Sequence, residues 1–360
     1  MYNEAYELLC TLAQIPAPSH HEEKRAQFCK EWLERQGAKN VYIDEALNVV
    51  LPFGDLRESI AVVMAHSDVV FPDTEPLPLR EENGRLWCPG VGDDTAHVVC
   101  MLMAAKEILR KGLQPKTGGV LLVVNSCEEG LGNLKGCREI MRVYGDRVRE
   151  FITFDGSVRT IHSKPVGSRR FRIGIKTEGG HSYGSFGNRN AIACLASLIH
   201  RLYQVQVPPI GKTTYNVGII SGGTSVNTIA QNAEALYEFR SDEREALELM
   251  QQAFDRAVAE TEGEVTVTQI GDRPCAGHVD PGKLAALEQR AAAAVKKHFG
   301  IDVRFTPGST DCNVPSSMGI PAVCVGLVET GGAHTRGEYM ELDSLEPGCK
   351  LAEELIGEYF

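Results

Sequence analysis

The chain has 360 residues, 43% of them hydrophobic, and a formal net charge of −11. That length allows two domains with real cores, the acidity argues against a nucleic-acid partner, and no apolar run approaches the ~20 residues of a membrane span. Eleven cysteines without a CxxC pattern, and a first stretch with no basic segment leading into an apolar one, point to reduced thiols in a cytoplasmic protein.

In chain order, Asn3 to Ile15 is periodic as a helix, and Ser19-His-His-Glu22 reads as a capping box for a second helix ending near Gly37. Strand-like runs follow at Val41 to Leu51 and Ile60 to Ala65. Asp94 to Leu113 is helical, Val120 to Asn125 a buried strand, Asn133 to Tyr144 a helix and Phe151 to Phe154 a strand. Alternating strands and helices predict an α/β layer with a mostly parallel central sheet flanked by helices. Near Ser163 the pattern changes to polar–apolar alternation, and residues 170–270 read β-α-β-β-α-β, the ferredoxin-like order. Helical and strand patterns of the first type then return, closing with a helix from Leu345 to Tyr359. The expectation is one α/β domain, residues 1–162 and 276–360, carrying an inserted α+β domain, residues 163–275.

The chemistry-bearing residues stand at strand ends and in Gly-rich loops. His66 and Asp68 follow Ile60-Ala-Val-Val-Met-Ala65, so on an extended segment the carboxylate faces the same side as the ring and can fix its tautomer. Asp93 and Asp94 end the turn Pro89-Gly-Val-Gly92. Glu128 and Glu129 follow the Val120–Asn125 strand, where two adjacent carboxylates are costly unless neutralised. One of them would suit a metal ligand and the other a general base. Asp155 ends the Phe151–Phe154 strand, and His334 lies in Gly331-Gly-Ala-His334. Two imidazoles and several carboxylates are the donors that a pair of divalent metals requires. Asp94 reads as a helix cap, His97 as facing out of its helix, and Asp311, in Gly308-Ser-Thr-Asp311, as the cap of a short helix. In the inserted segment, Gly179-Gly-His181-Ser, Gly222-Gly-Thr-Ser-Val-Asn227 and Arg240 stand out.

Taken in order, HxD, GDD, EEGLG, an Asp after a strand, GGHS, GG-x-x-x-N and a late AH resemble the M20 family of metallopeptidases over nearly the whole chain. The resemblance implies that His66 and Asp155 bind one ion, that Glu129 and His334 bind the other, and that Asp93 bridges both. It implies Glu128 as the general base activating the water between the ions, and Asp68 as the partner of His66. His181 matches a histidine that reaches the partner subunit's site in dimeric members and stabilises the oxyanion. Asn227 and Arg240 match substrate-contacting positions. Two divalent ions are implied, Zn²⁺ first, with Mn²⁺ or Co²⁺ also fitting, and a homodimer through residues 163–275. The run Asp94-Thr95-Ala96-His97 departs from the family's DxKGG, and the tail histidine lacks the Pro or Asn neighbours seen in some members. In the family, Asp at the Asp155 position is common in aminopeptidases and dipeptidases, and Glu in carboxypeptidases and many deacylases. The expected activity is hydrolysis of short peptides, as a di- or tripeptidase or aminopeptidase of the peptidase T kind. The alternative is an N-acyl amino acid deacylase or carboxypeptidase-type amidohydrolase. A non-catalytic binding protein on the same fold is disfavoured, because every expected position is filled.

Overall fold

The computed structural model describes residues 2–360. The chain forms two compact units, with joins at Pro165/Val166 and Ala276/Gly277.

The first unit is built on an eight-stranded sheet. Its spatial order is Tyr42–Ile43, Val49–Gly54, Gly119–Asn125, Ile60–His66, Val148–Phe154, Ala322–Val325, Thr160–Pro165 and Arg304–Gly308. The four strands from Gly119–Asn125 to Ala322–Val325 run parallel to one another. Every residue of Ile60–His66 and of Gly119–Asn125 is buried, as strands covered on both faces must be. Alternation along Ile60–Ala65 then separates two cores. Ala61, Val63 and Ala65 pack with the helices Tyr2–Ala13, Glu23–Arg35, Ala96–Lys111, Pro281–Phe299 and Leu345–Gly357. Ile60, Val62 and Met64 pack with the helices Lys135–Tyr144 and Asn313–Ser317. Each buried aliphatic side chain contributes roughly 1.5–3 kcal/mol, so the sheet is held from both sides and its strand ends are fixed in space.

The second unit carries the expected β-α-β-β-α-β order. Its sheet runs Thr213–Gly222, Asn232–Ser241, Gly167–Lys176 and Glu264–Arg273, antiparallel throughout. Two helices, Ala191–Tyr203 and Arg244–Ala259, cover the Phe171, Ile173, Ile175, Tyr237 and Phe239 face. Asn190 caps the first, its side chain accepting from the backbone N–H of Ile192 and Ala193.

Several local expectations are corrected. The Val41–Leu51 run is two strands, because Asp44 Oδ1 accepts from the N–H of Ala46 and Asn48 and turns the chain between them. Ser19 caps no helix: its hydroxyl donates to Asp68 Oδ2 at 2.6 Å, and the helix Glu23–Arg35 begins with no side-chain cap. Asp311 is no cap either; it is buried and accepts from Asn125 Nδ2 at 2.7 Å. Unforeseen was a small antiparallel sheet of Thr330–Gly331, Tyr339–Glu341, Arg85–Trp87 and Arg80–Glu82. Its strands are two or three residues long, too short for a period to register. Among the described residues no helix is long and apolar enough to cross a membrane, and no cysteine is in a disulfide.

Candidate metal centre

The parallel strands deliver their C-terminal ends to one place. His66 closes Ile60–His66, Glu128 and Glu129 follow Gly119–Asn125, and Asp155 follows Val148–Phe154. The ring of His66 is buried, with Nδ1 3.1 Å from the backbone carbonyl of Asp68 and 3.4 Å from its Oδ1. A proton on Nδ1 directed at those oxygens leaves the Nε2 lone pair free, and Nε2 lies 3.1 Å from Asp93 Oδ1. Asp93 Oδ2 lies 3.1 Å from His334 Nε2, which is also 3.1 Å from Glu129 Oε1. Asp93 therefore stands between the two imidazoles with one oxygen toward each.

Two sets of donor atoms are close enough to share an ion: His66, Asp93 and Glu129, and His66, Asp94 and Asp155, each within 4.8 Å of one another. The second set corrects the reading of Asp94. It makes no capping bond; it is fully buried, and its Oδ2 accepts from the backbone N–H of His66 at 2.9 Å. His97 does not face solvent. It is fully buried, with Nδ1 2.7 Å from Asp94 Oδ1. The helical period that pointed it outward holds only where a helix has a wet face, and the first turns of Ala96–Lys111 are buried all round.

Asp68 does more than face His66. Its oxygens accept from the N–H of Glu128 at 2.9 Å and of Glu129 at 3.0 Å, so one carboxylate sets the backbone of both glutamates. The Glu128 carboxylate lies within electrostatic reach of Glu129, Asp94 and Asp155.

The electrostatics are those of a site short of cations. Burial, with Asp93 and Glu128 adding to it, pushes Glu129 up to about 7 against the pull of His334. Burial and neighbouring carboxylates hold Asp94 and Asp155 well above their usual range. His334, beside Asp93 and Glu129, is pushed up to about 11. Burial resists a charge on His66, but Asp94, Asp68 and Asp93 outweigh it and hold the ring well above its ordinary value. Burial alone would raise Asp93, yet the two imidazoles hold it below the carboxylate range. Asp94, Glu129 and Asp155, which hold protons this tightly, stand with Asp93 and two imidazoles, and these are the oxygen and nitrogen donors that divalent cations prefer. The residues present fit a pair of such ions.

Two supporting residues escaped the sequence reading. Arg25, fully buried, donates from Nη1 to the carbonyl of Ser67 at 2.9 Å and to Thr95 Oγ1 at 3.1 Å, and from Nε to the carbonyl of Ile15 at 2.7 Å. It braces the chain beside both His66 and Asp94. Its signal was a charge on the apolar face of a helix, four and seven residues before Cys29 and Trp32, both buried. Arg25→Leu is expected to lower unfolding stability by about 3 kcal/mol, read from the urea midpoint at unchanged m-value. A loss below about 0.5 kcal/mol would show the brace to be dispensable. The second is Glu338, buried against the Asp93 loop.

The other expected residues lie in the second unit. Gly180–His181 pairs with Thr228–Ile229, and Ser182 N–H donates to the carbonyl of Asn227, so His181 and Asn227 share one two-stranded ribbon. His181 Nδ1 accepts from the N–H of Tyr183 and Gly184 at 3.3 and 3.2 Å. Asn227 Oδ1 accepts from Ser225 Oγ at 2.7 Å. Arg240 donates through Nε and Nη2 to both oxygens of Glu238. The ribbon adjoins the start of Asn232–Ser241 and Arg240 its end, about 27 Å apart at ~3.4 Å per residue.

A mostly parallel sheet whose strand ends carry this cluster, with a separate ferredoxin-like unit, defines a metallohydrolase of two-unit architecture. Residues 62–358 match peptidase family M20/M25/M40, and the chain belongs to that family. It is similar to a putative succinyl-diaminopimelate desuccinylase, DapE, of Mycobacterium tuberculosis, with 28% identity over 98% of this chain and 97% of the relative. In fold it is similar to a tripeptidase of Staphylococcus aureus, with a TM-score of 0.78 and 23% identity over 100% and 98% of the two chains. It also resembles a dinuclear metal binding M20 peptidase of Bacillus subtilis, YXEP, with a TM-score of 0.65 and 18% identity over 100% and 99%.

Proposed function

We propose that this family enzyme hydrolyses an amide bond in short peptides, as a di- or tripeptidase or aminopeptidase, with two divalent ions. The observation that supports this best is Asp93, whose two oxygens each face an imidazole Nε2 at 3.1 Å. His66 and Asp155 would hold one ion, Glu129 and His334 the other, with Asp93 between them. Zn²⁺ suits this donor set, and Mn²⁺ or Co²⁺ would fit as well. Bound ions supply positive charge that polarises the scissile carbonyl and the attacking water. Glu128 takes the proton from that water and returns it to the leaving amine. Asp68 holds Glu128 and Glu129 in place through their backbone.

Peptides are favoured by the shorter carboxylate at Asp155, following the family's usage. The second reading, an N-acyl amino acid deacylase, is favoured by the likeness to the desuccinylase over 98% of the chain. The test is a panel of free-amine di- and tripeptides and of N-acetyl and N-succinyl amino acids, each with Zn²⁺, Mn²⁺ and Co²⁺. Peptides are expected to lead by on the order of 100-fold in kcat/KM. The opposite ranking would establish the deacylase.

His181 and Asn227 at one end of the second unit and Arg240 at the other cannot all reach one small substrate from a single copy. We propose that they act in two sites of a homodimer, with His181 donating in trans to the oxyanion. The edge strand Thr213–Gly222 has one neighbour only, and exposes Ile219 and Ile220, which suits pairing between copies. Light scattering at micromolar concentration should show a dimer. A fully active monomer would end the in-trans role.

A further inference from the structure

We infer that Glu338 is a positioning residue that ties the Asp93 loop to the His334 turn and so sets the two ligands that face each other across the site. This rests on the reading of Asp93 as a metal ligand.

Glu338 is 1% exposed. It precedes the strand Tyr339–Glu341, which pairs with Arg85–Trp87, and its carbonyl accepts from the N–H of Cys88. The small sheet thus places it beside the loop that leads to Asp93. Its side chain turns into that loop. Oε2 accepts from the N–H of Gly90 at 2.9 Å, and Oε1 from Gly92 and Asp93, each at 2.8 Å. Three N–H groups converging on one anion form a backbone nest, and charge-assisted bonds of this length are the strong kind. The loop is shaped to fit. A Cβ at Gly92 would meet Thr330 Cγ2 at 2.7 Å and Glu338 Oε1 at 3.4 Å. Asp93 itself has φ −124° and ψ 85° between helical neighbours, so its side chain leaves the turn in a different direction.

The same residue is tied to the other loop. Thr335 N–H donates to the carbonyl of Gly332, closing the turn that contains His334, and Glu338 N–H donates to the carbonyl of Thr335, closing the turn that follows it. One buried side chain is therefore bonded to the backbone of Asp93 while its own backbone anchors Thr335, the last residue of the turn that carries His334, whose Nε2 is 3.1 Å from Asp93 Oδ2. A carboxylate is required for all three bonds. Glutamine has one oxygen, which could keep the Gly92 and Asp93 bonds, but its NH₂ would then face the Gly90 N–H.

The test uses Glu338→Gln, Glu338→Ala and Asp93→Asn in the full-length protein, each first stripped of metal. Zn²⁺ is titrated calorimetrically, and the Co²⁺-loaded forms are compared by visible absorption. Loss of a group that supports metal ligands typically weakens binding by 10–100-fold. Glu338→Gln is expected near ~10-fold and Glu338→Ala near ~100-fold, with an altered Co²⁺ spectrum and kcat recovered at saturating metal. If Glu338→Ala does not fold, Glu338→Gln alone decides. Wild-type affinity and spectrum in the Glu338 variants, with binding lost in Asp93→Asn, would overturn the positioning role alone. Wild-type affinity in Asp93→Asn as well would overturn the metal reading, and the positioning role with it.

Discussion

Glu128→Gln is expected to lower kcat by about 10²–10⁴-fold while the protein still binds two equivalents of Zn²⁺. The amide fills the same space beside Glu129, Asp94 and Asp155 but cannot accept a proton from water. The backbone contacts keep the proposed base apart from the proposed ligand. Asp68 grips the N–H of both glutamates, so a change at the Glu128 side chain leaves the backbone that aims Glu129 intact. Glu129 stays 3.1 Å from His334, and the ion it would hold is undisturbed. Steady-state kinetics and metal analysis on one preparation check the two halves together. A variant retaining more than about a tenth of wild-type turnover would remove Glu128 from the role of base, since even weak general-base catalysis exceeds that factor. Full loss of metal would instead make it a ligand.

The metal-free protein is expected to lose stability as pH rises from about 5 to 7, and the Zn²⁺-loaded protein to gain it. Burial raises Glu129 from 4.5 to about 7 and Glu338 likewise to about 7, and Asp94 and Asp155 also sit well above 3.8. For each of these the folded chain binds the proton more firmly than the unfolded chain. The stability so gained is complete below the unfolded value and is lost as pH climbs toward the folded one. Glu129 alone amounts to on the order of 3 kcal/mol. His66 and His334, raised by their carboxylate neighbours, act in the same direction above about pH 6.5. His97 opposes them: burial lowers it to about 4, so it adds stability between about pH 4 and 6.5. Asp93 and Asp68 are lowered, and their contribution is complete above the ordinary carboxylate range. Four carboxyl groups against one imidazole set the sign. Bound ions displace those protons, and their affinity rises with pH, which reverses the slope. Thermal midpoints at pH 5 and pH 7, with chelator and with Zn²⁺, give the comparison. A chelated protein more stable at pH 7 than at pH 5 would count against a cluster this short of cations.

Residues at the ends of long apolar strands were readable before the fold was known. Ile60–Ala65 and Val120–Val124 are unbroken apolar runs too short for an ordinary helix, and such a run reads as a strand covered on both faces, with its polar terminus at the end of the sheet. His66, Glu128 and Glu129 follow from that, and Asp155 from the shorter Phe151–Phe154 run. The β-α-β-β-α-β unit was legible for a similar reason, since a sheet with one wet face writes a period of two into its strands. Asp94, His97 and Ser19 were misread because capping and facing rules assume a solvated helix start; Asp94 and His97 are buried, and Ser19 is engaged by a carboxylate far away in the chain. His97 meets a helix turn wrapped on all sides, and Ser19 meets Asp68 rather than its own helix.

The chain by itself determined that His66, Glu128, Glu129 and Asp155 would stand at strand ends, because burial periodicity and strand termini are local properties. Only the tertiary structure decided how those groups are held. Arg25 reaches Ser67 and Thr95 across 42 and 70 residues, and Glu338 reaches Asp93 across 245. The apolar face of its helix marks Arg25 as buried, but nothing periodic names the partners of either residue, because they are chosen by packing rather than by sequence distance.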